Sequence, residues 1–369
     1  IGALIASKTK QSALVGQIII GIIIGPAVFG IVSYNEFVKQ IAEMGIIILL
    51  FLVGLECKFK EVYTPKNTFI ALFGAALTWG LGYLIAILFG FNSMQAIFVG
   101  TAIISTSSAV VAQLLKETGK LSSDMGKIIL GASAINDVIG LMIFSLVIRS
   151  SEVQMTVPSV LFRIGIAILY LIVFFIIGKK LSKYLKKLEY WGKMNNHPKI
   201  GFIFSLLIAF FFGAVSELIG LSTMMGAFVA GLALEHIKDK NFKIGAEYLE
   251  IIFGSIFFVS LGILVQNLFD PLKNIVLVLA LLAAAIIGKT LGGFIGARIG
   301  ENKLIRSNSI IIGFSLSPIG EIAALAALVG FQKGILTSEI YSSIIFVGIF
   351  SSIIVPMALM KIFGADHKT

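Results

Sequence analysis

The stretch Gly126–Arg149, GKIILGASAINDVIGLMIFSLVIR, is long enough to cross a lipid bilayer, and it carries a carboxylate, Asp137, near its middle. A membrane span needs about 20 mostly apolar residues, and a charged group at mid-depth is costly to place, so an acidic side chain there marks a functional site. Ser133, Asn136, Asp137 and Gly140 follow the spacing i, i+3, i+4, i+7 and share one helix face. The other faces are Ile, Leu, Val, Met and Phe. One stripe of this helix is therefore built for something other than lipid or packing.

Similar stretches recur from end to end. The chain is 58% hydrophobic and 13% charged, with a mean hydropathy of +1.03. An ordinary soluble domain is about a quarter charged. The apolar runs are too long, and Gly too frequent, for β-barrel strands of about ten alternating residues. The pattern predicts an all-α membrane protein with thirteen spans, at 1–7, 13–31, 37–56, 68–90, 94–115, 126–149, 158–178, 200–218, 222–236, 246–266, 274–298, 309–330 and 339–362. The first reads as the tail of a longer span, with residues before Ile1 expected, and not as a signal peptide.

The net charge of +10 is sorted by position. Of 29 basic residues, 23 fall on every second connection, including Lys8, Lys58, Lys116, Lys120, Lys238 and Lys303. The densest run is Lys179–Lys193, KKLSKYLKKLEYWGK. Cytoplasmic loops carry the Lys/Arg excess. The expectation is a multi-pass protein of the cell (inner or plasma) membrane, N-terminus outside and C-terminus in the cytoplasm. The basic run Lys179–Lys193 reads first as a topology determinant and second as a contact for anionic membrane lipid, and no nucleic-acid partner is expected.

Cys57 is alone, so no disulfide forms within one chain, and His197, His236 and His367 read as solvated loop residues. No nucleophile elbow, P-loop or dinucleotide fingerprint is present, so an enzyme or an ATP-driven pump is not indicated and no cofactor is expected.

Three further features fall at mid-depth. Lys289 lies near the middle of AAAIIGKTLGGFIGARIG (283–300), beside Gly288, Gly292 and Gly296. Small residues at that interval let helices approach closely. The lysine is too deep to reach water along its own stem and should face the protein interior and a carboxylate. The segment GTAIISTSSAVV (100–111) carries four consecutive hydroxyls, Ser105 to Ser108, which compete with the backbone for hydrogen bonds. The segment GFSLSPIGEIAAL (313–325) carries Pro318 and Glu321, and proline removes a donor and disfavours helix in the preceding residue. Both segments predict broken helices. They sit in the fifth helix of each of two six-helix units, with opposite orientation. Paired interrupted helices in two inverted halves mark the binding site of a secondary transporter.

These residues resemble the monovalent cation:proton antiporters, in particular the branch of sodium/proton exchangers and potassium-efflux antiporters. The resemblance is carried by GQIIIGIIIGPAVFG (16–30), LFLVGLE (50–56), ISTSSAVV (104–111), GASAINDVIGL (131–141), GAFVAGLAL (226–234), FFVSLGILV (257–265), GKTLGG (288–293) and SPIGEIAAL (317–325). It implies the sodium/proton antiporter-like fold, with crossed broken helices and two inverted repeats. It implies a homodimer, in which a core domain (68–149 and 267–369) moves elevator-like against a panel domain (1–67 and 200–266). Residues 150–199 form a linker helix and a basic cytoplasmic connection. Asp137 matches the family's ion- and proton-carrying aspartate, and Ser133, Asn136, Thr106 and Ser107 match positions around it. Lys289 and Glu321 match the charge-compensating pair. Asn136 stands where electrogenic relatives carry a first aspartate, as in the electroneutral branch, yet that branch usually carries Arg where this chain has Lys289. Ala132 lacks the extra carboxylate of some electroneutral members.

The mechanism this predicts is competition at Asp137 between Na+, or K+, and H+. One exchangeable carboxylate gives one cation per proton and moves no net charge. Glu56 and Glu235 read first as solvated helix ends, and second as the lining of a cytoplasmic funnel. The alternatives are a K+/H+ antiporter, a sodium-coupled organic-anion (bile-acid-like) symporter on the same fold, or a channel. Neither of the last two explains why a carboxylate and a lysine share one depth.

Overall fold

The computed structural model describes residues 13–56, 64–120, 123–150, 157–194, 200–219, 223–234, 248–265, 274–300 and 306–365, with Gly2 and Gly245. Apart from Gly2, the predicted span 1–7 lies outside the described residues, as do Cys57, Glu235, His197, His236 and His367. Glu56 and Glu321 are described as backbone only.

All regular structure among the described residues is helical. The helices are α1 (Ala13–Ile24), α2 (Glu36–Glu56), α3 (Pro65–Leu88), α4 (Ser93–Ile104), α5 (Ser108–Glu117), α6 (Asp124–Ser150) and α7 (Val157–Met194). There follow α8 (Ile200–Leu218), α9 (Thr223–Ala233), a π-helical turn (Glu250–Gly254), α10 (Ser255–Ile263), α11 (Ile275–Gly300), α12 (Arg306–Ser315), α13 (Glu321–Gln332) and α14 (Ser338–Ala365). Five of them have a stretch long and apolar enough to cross a membrane: Pro65–Leu88, Asp124–Ile148, Ile200–Leu218, Ile275–Gly300 and Ser338–Phe363. Local chemistry sets the ends. The Thr64 hydroxyl accepts from Asn67 N at 3.2 Å and Pro65 fills the first helical position of α3. Gly90, at φ 82°, turns the chain after α3, and Asn92 with Gln95 forms a reciprocal capping box on α4.

The linker helix runs further than the apolar pattern predicts. The expected span 158–178 continues without a break through the basic run to Met194. That run holds Leu, Lys and Glu, which are good helix formers, and no proline. At 1.5 Å per residue α7 is about 57 Å long. The predicted span 246–266 is likewise modified, since the π-helical turn precedes α10.

The chain forms two compact units. One comprises Ile1–Ser33, Lys60–Ile148 and Leu261–Thr369; the other comprises Tyr34–Phe59 and Arg149–Ser260. In the second unit α9 packs on α2, α7 and α8. In the first, α11 packs on α3, α12 and α14, and α13 packs on α4 and α14. Its cores are apolar, with Ile70, Val111, Ile129 and Ile312 in one cluster and Leu114, Val355, Leu359 and Phe363 in another.

The α3–α11 pair explains the glycine interval. Gly288 meets Thr78, Gly292 meets Phe73 and Gly74, and Gly296 meets Phe69 and Ile70, so the two helices run antiparallel in backbone contact. A Cβ added at Gly288 would lie 2.6 Å from Thr78 Cα, and at Gly292 and Gly296 it would meet backbone carbonyls closer still. A Cβ added at Gly74 would lie 3.7 Å from Lys289 Cδ, an ordinary contact, so the lysine stem packs directly beside this helix pair. Overpacking a close contact costs about 1–3 kcal/mol or more. Gly292→Val should therefore lower the thermal midpoint in detergent. Gly80→Ala, at a position with open space around it, should not. Equal midpoints for the two variants would contradict this packing.

Candidate functional site

Both predicted interruptions are present. Helix α4 ends at Ile104 and α5 begins at Ser108, while α12 ends at Ser315 and α13 begins at Glu321. Ser105 is extended, at φ −61° and ψ 152°, and Gly320 is extended, at φ −113° and ψ −161°. Each break leaves backbone groups without helical partners. The two breaks supply one another. Ser107 N donates to Pro318 O at 2.7 Å, Thr106 Oγ1 donates to Leu316 O at 2.8 Å, and Ala323 N donates to Ser105 Oγ at 3.1 Å. Gly320 has no side chain to cap α13, so Ser105 caps it from the other break. A Cβ on Gly320 would lie 2.8 Å from Ser107 Cα, so this approach requires glycine. Helix α14 adds a brace, as Ile319 N donates to Ser351 Oγ at 2.9 Å.

Helix α6 brings its polar stripe to these breaks. Asn136 and Asp137 are 1% and 2% exposed. The Asn136 amide donates to Ile104 O at 2.8 Å and to Thr106 Oγ1 at 3.0 Å. It thus serves a carbonyl left over where α4 ends, which a carboxylate at this position has no proton to do. Lys289, from α11, is 1% exposed, and its ammonium donates to the same Thr106 Oγ1 at 3.2 Å. Thr106 is the junction. One hydroxyl proton and two lone pairs are all committed, to Leu316 O, Asn136 and Lys289. Lys289 also lies within reach of the Asp137 charge.

Asp137 is held by a hydroxyl relay. Ser108 Oγ donates to Asp137 Oδ2 at 2.7 Å and lies 2.7 Å from Ser133 Oγ. Ser108 has one proton, given to the carboxylate, so Ser133 donates to Ser108. Ser108 also opens α5, and the amide end of a helix favours a negative charge beside it. The arrangement is a buried carboxylate with two hydroxyl oxygens beside it, one of which bonds to it, in a helix passing two interrupted helices.

Of the residues singled out from the sequence, Ser133, Asn136, Asp137, Thr106 and Lys289 meet in this network. Ser107 takes a different place. Its Oγ accepts from Val110 N at 3.5 Å at the start of α5, and its backbone binds Pro318. Glu321 is the first residue of α13, at its amide end. Glu56 closes α2, in the other unit. Ser108 is the residue that the spacing argument passed over as a partner of Asp137. It is the last of the four hydroxyls, and a helix restarting at 108 is what turns it toward α6.

The chain belongs to the sodium/hydrogen exchanger transmembrane family, which matches residues 1–363. It is 30% identical to a Na(+)/H(+) antiporter of Enterococcus hirae, over 97% of this chain and 94% of that protein. It is 29% identical to the Na(+)/H(+)-K(+) antiporter GerN of Bacillus cereus, over 98% and 92% of the two chains. In fold it is similar to the sodium proton antiporter MjNhaP1 of Methanocaldococcus jannaschii, with a TM-score of 0.74 at 18% identity, covering 97% of this chain and 92% of that one.

Replacing Thr106 by Val keeps the shape and removes the junction. Each buried polar group left unpaired costs about 1–3 kcal/mol, more for the ammonium. Thr106→Val should lower the thermal midpoint markedly, and Thr106→Ser should restore most of it. A Val variant as stable as wild type would show that the junction contributes nothing.

Proposed function

We propose that this chain is a secondary antiporter exchanging Na+ for H+, with Asp137 binding the two in turn. The observation that carries the reading is a carboxylate 2% exposed at mid-span, bonded to Ser108 with Ser133 behind it. Ionised, Asp137 supplies charge for a cation, and Ser108 and Ser133 supply neutral oxygens. Protonated on Oδ2, it donates to Ser108, and Ser108 donates on to Ser133. The same atoms serve both states by reversing the direction of the hydroxyl chain. An empty, charged carboxylate in a low-dielectric barrier is disfavoured, and that couples the two fluxes.

The stoichiometry is one cation per proton. Lys289 would raise the proton count only by releasing its own proton when the cation binds. Asn136, uncharged and on the same Thr106 hydroxyl, gives Lys289 no partner whose charge changes when a cation binds, and that supports the lower count. Transport follows elevator-like alternating access, with 68–149 and 267–369 moving against a panel of 1–67 and 200–266 in a homodimer. The compact unit that joins 60–148 to 261–369 supports this division, although it also takes in residues 1–33. The thirteen spans form two inverted six-helix repeats, each broken at its fifth helix, with the N-terminus outside and the C-terminus inside. Glu321 compensates charge at the start of α13. A K+/H+ exchanger is the second reading, supported by the cations named for the B. cereus relative.

The test is reconstitution in vesicles with a pH-sensitive dye and imposed Na+, K+ or Li+ gradients. Wild type should exchange and Asp137→Asn should not; exchange that survives Asp137→Asn sinks the reading. Ser108→Ala should raise the half-saturating cation concentration several-fold and leave folding intact. Lowering the pH favours the protonated carboxyl, so the same concentration should rise as pH falls. Flux driven by voltage alone would rule out the electroneutral version and leave the antiporter standing.

A further inference from the structure

Helix α7 presents one continuous exposed face whose chemistry changes abruptly. Leu169, Ile172 and Ile176 are 61%, 53% and 50% exposed. One turn further along, the same face carries Lys179, Lys180, Lys183 and Lys187, all exposed. Tyr184, Tyr190 and Trp191 accompany them at 68%, 70% and 53%. The intervals of three and four residues keep these side chains in one stripe. The opposite face is anchored. The Tyr170 hydroxyl donates to Phe212 O at 2.8 Å, Gly178 lies against Ala233, and Ser182 and Leu185 are buried. The rotation of α7 is thereby set, and the stripe is held outward within its unit.

An exposed apolar strip on a membrane helix faces acyl chains. Where that strip ends, the next layer in the bilayer is the headgroup region, and Tyr and Trp concentrate there. Lysines clustered just beyond a span are matched in charge by anionic headgroups. The described side chains of this face include no acid. We propose that Lys179, Lys180 and Lys183, with Tyr184, form a docking surface for anionic phospholipid headgroups where α7 leaves the leaflet that its apolar half enters. This goes beyond ion exchange and does not depend on it, since lipid preference is read without any flux.

The test uses the full chain carrying Tyr184→Trp as a fluorescent reporter, with the parent chain as background. It is reconstituted with equal amounts of phosphatidylglycerol and phosphatidylcholine, one or the other brominated. Brominated phosphatidylglycerol should quench the reporter more strongly. Native mass spectrometry of the same protein without the reporter should show phosphatidylglycerol retained preferentially. Each lysine near the surface is worth about fivefold in partitioning, so Lys179→Gln with Lys183→Gln should cut the preference by at least about fivefold. The corresponding Arg pair, which keeps the charge, should preserve it and shows that the helix tolerates substitution. Equal quenching by both lipids, or a preference unchanged in the Gln pair, overturns the proposal. Quenching by neither lipid overturns it too, since the face is then covered by protein such as a second copy of the chain.

Discussion

Backbone that leaves a helix inside a bilayer must find its hydrogen bonds within the protein, because the lipid offers none. Everything at the centre of this molecule depends on how that constraint is met. The breaks at Ser105–Ser107 and Leu316–Gly320 are each other's partners, joined by Ser107 N to Pro318 O, Thr106 Oγ1 to Leu316 O and Ala323 N to Ser105 Oγ. None of these bonds exists if either helix runs straight through. The interruptions are therefore one feature, and Gly320 is the residue that lets the two strands of irregular chain come close enough to make it.

The charged groups are placed by that feature. Asn136 reaches the carbonyl that α4 leaves open at Ile104, and Asn136 and Lys289 converge on Thr106. Asp137, one residue along α6, then meets Ser108 where the helix restarts. Lys289 arrives because α11 rests directly on the backbone of α3 through Gly288, Gly292 and Gly296. A bulkier face on α11 would hold the lysine away. The lysine and the carboxylate thus share a neighbourhood while bonding to different oxygens, which is the arrangement a site needs if its carboxylate is to exchange partners.

Much of this was legible along the chain. The depth of Asp137 and Lys289 follows from where they fall in apolar runs, and the breaks follow from Pro318 and from four hydroxyls in a row. The glycine interval announced a close helix contact without naming the other helix. Two things were not legible. The basic run after residue 178 reads as a connection by its charge, yet it remains helical, because helix formation tolerates lysine as readily as leucine. The division of labour among Ser105, Thr106, Ser107 and Ser108 was also hidden. Adjacent hydroxyls on irregular backbone point in different directions, and spacing rules apply only where the backbone is regular.

By itself, then, the order of residues determined which groups lie at mid-membrane and where the helices had to yield. Both are local matters, governed by the solvation of side chains and by backbone conformation. The fold decided which oxygen each group finds: Ser105 caps a helix more than two hundred positions away, Thr106 binds the lysine, and Ser108 takes the aspartate. Partners so distant along the chain are brought together only by packing, and no periodicity in the sequence encodes that meeting.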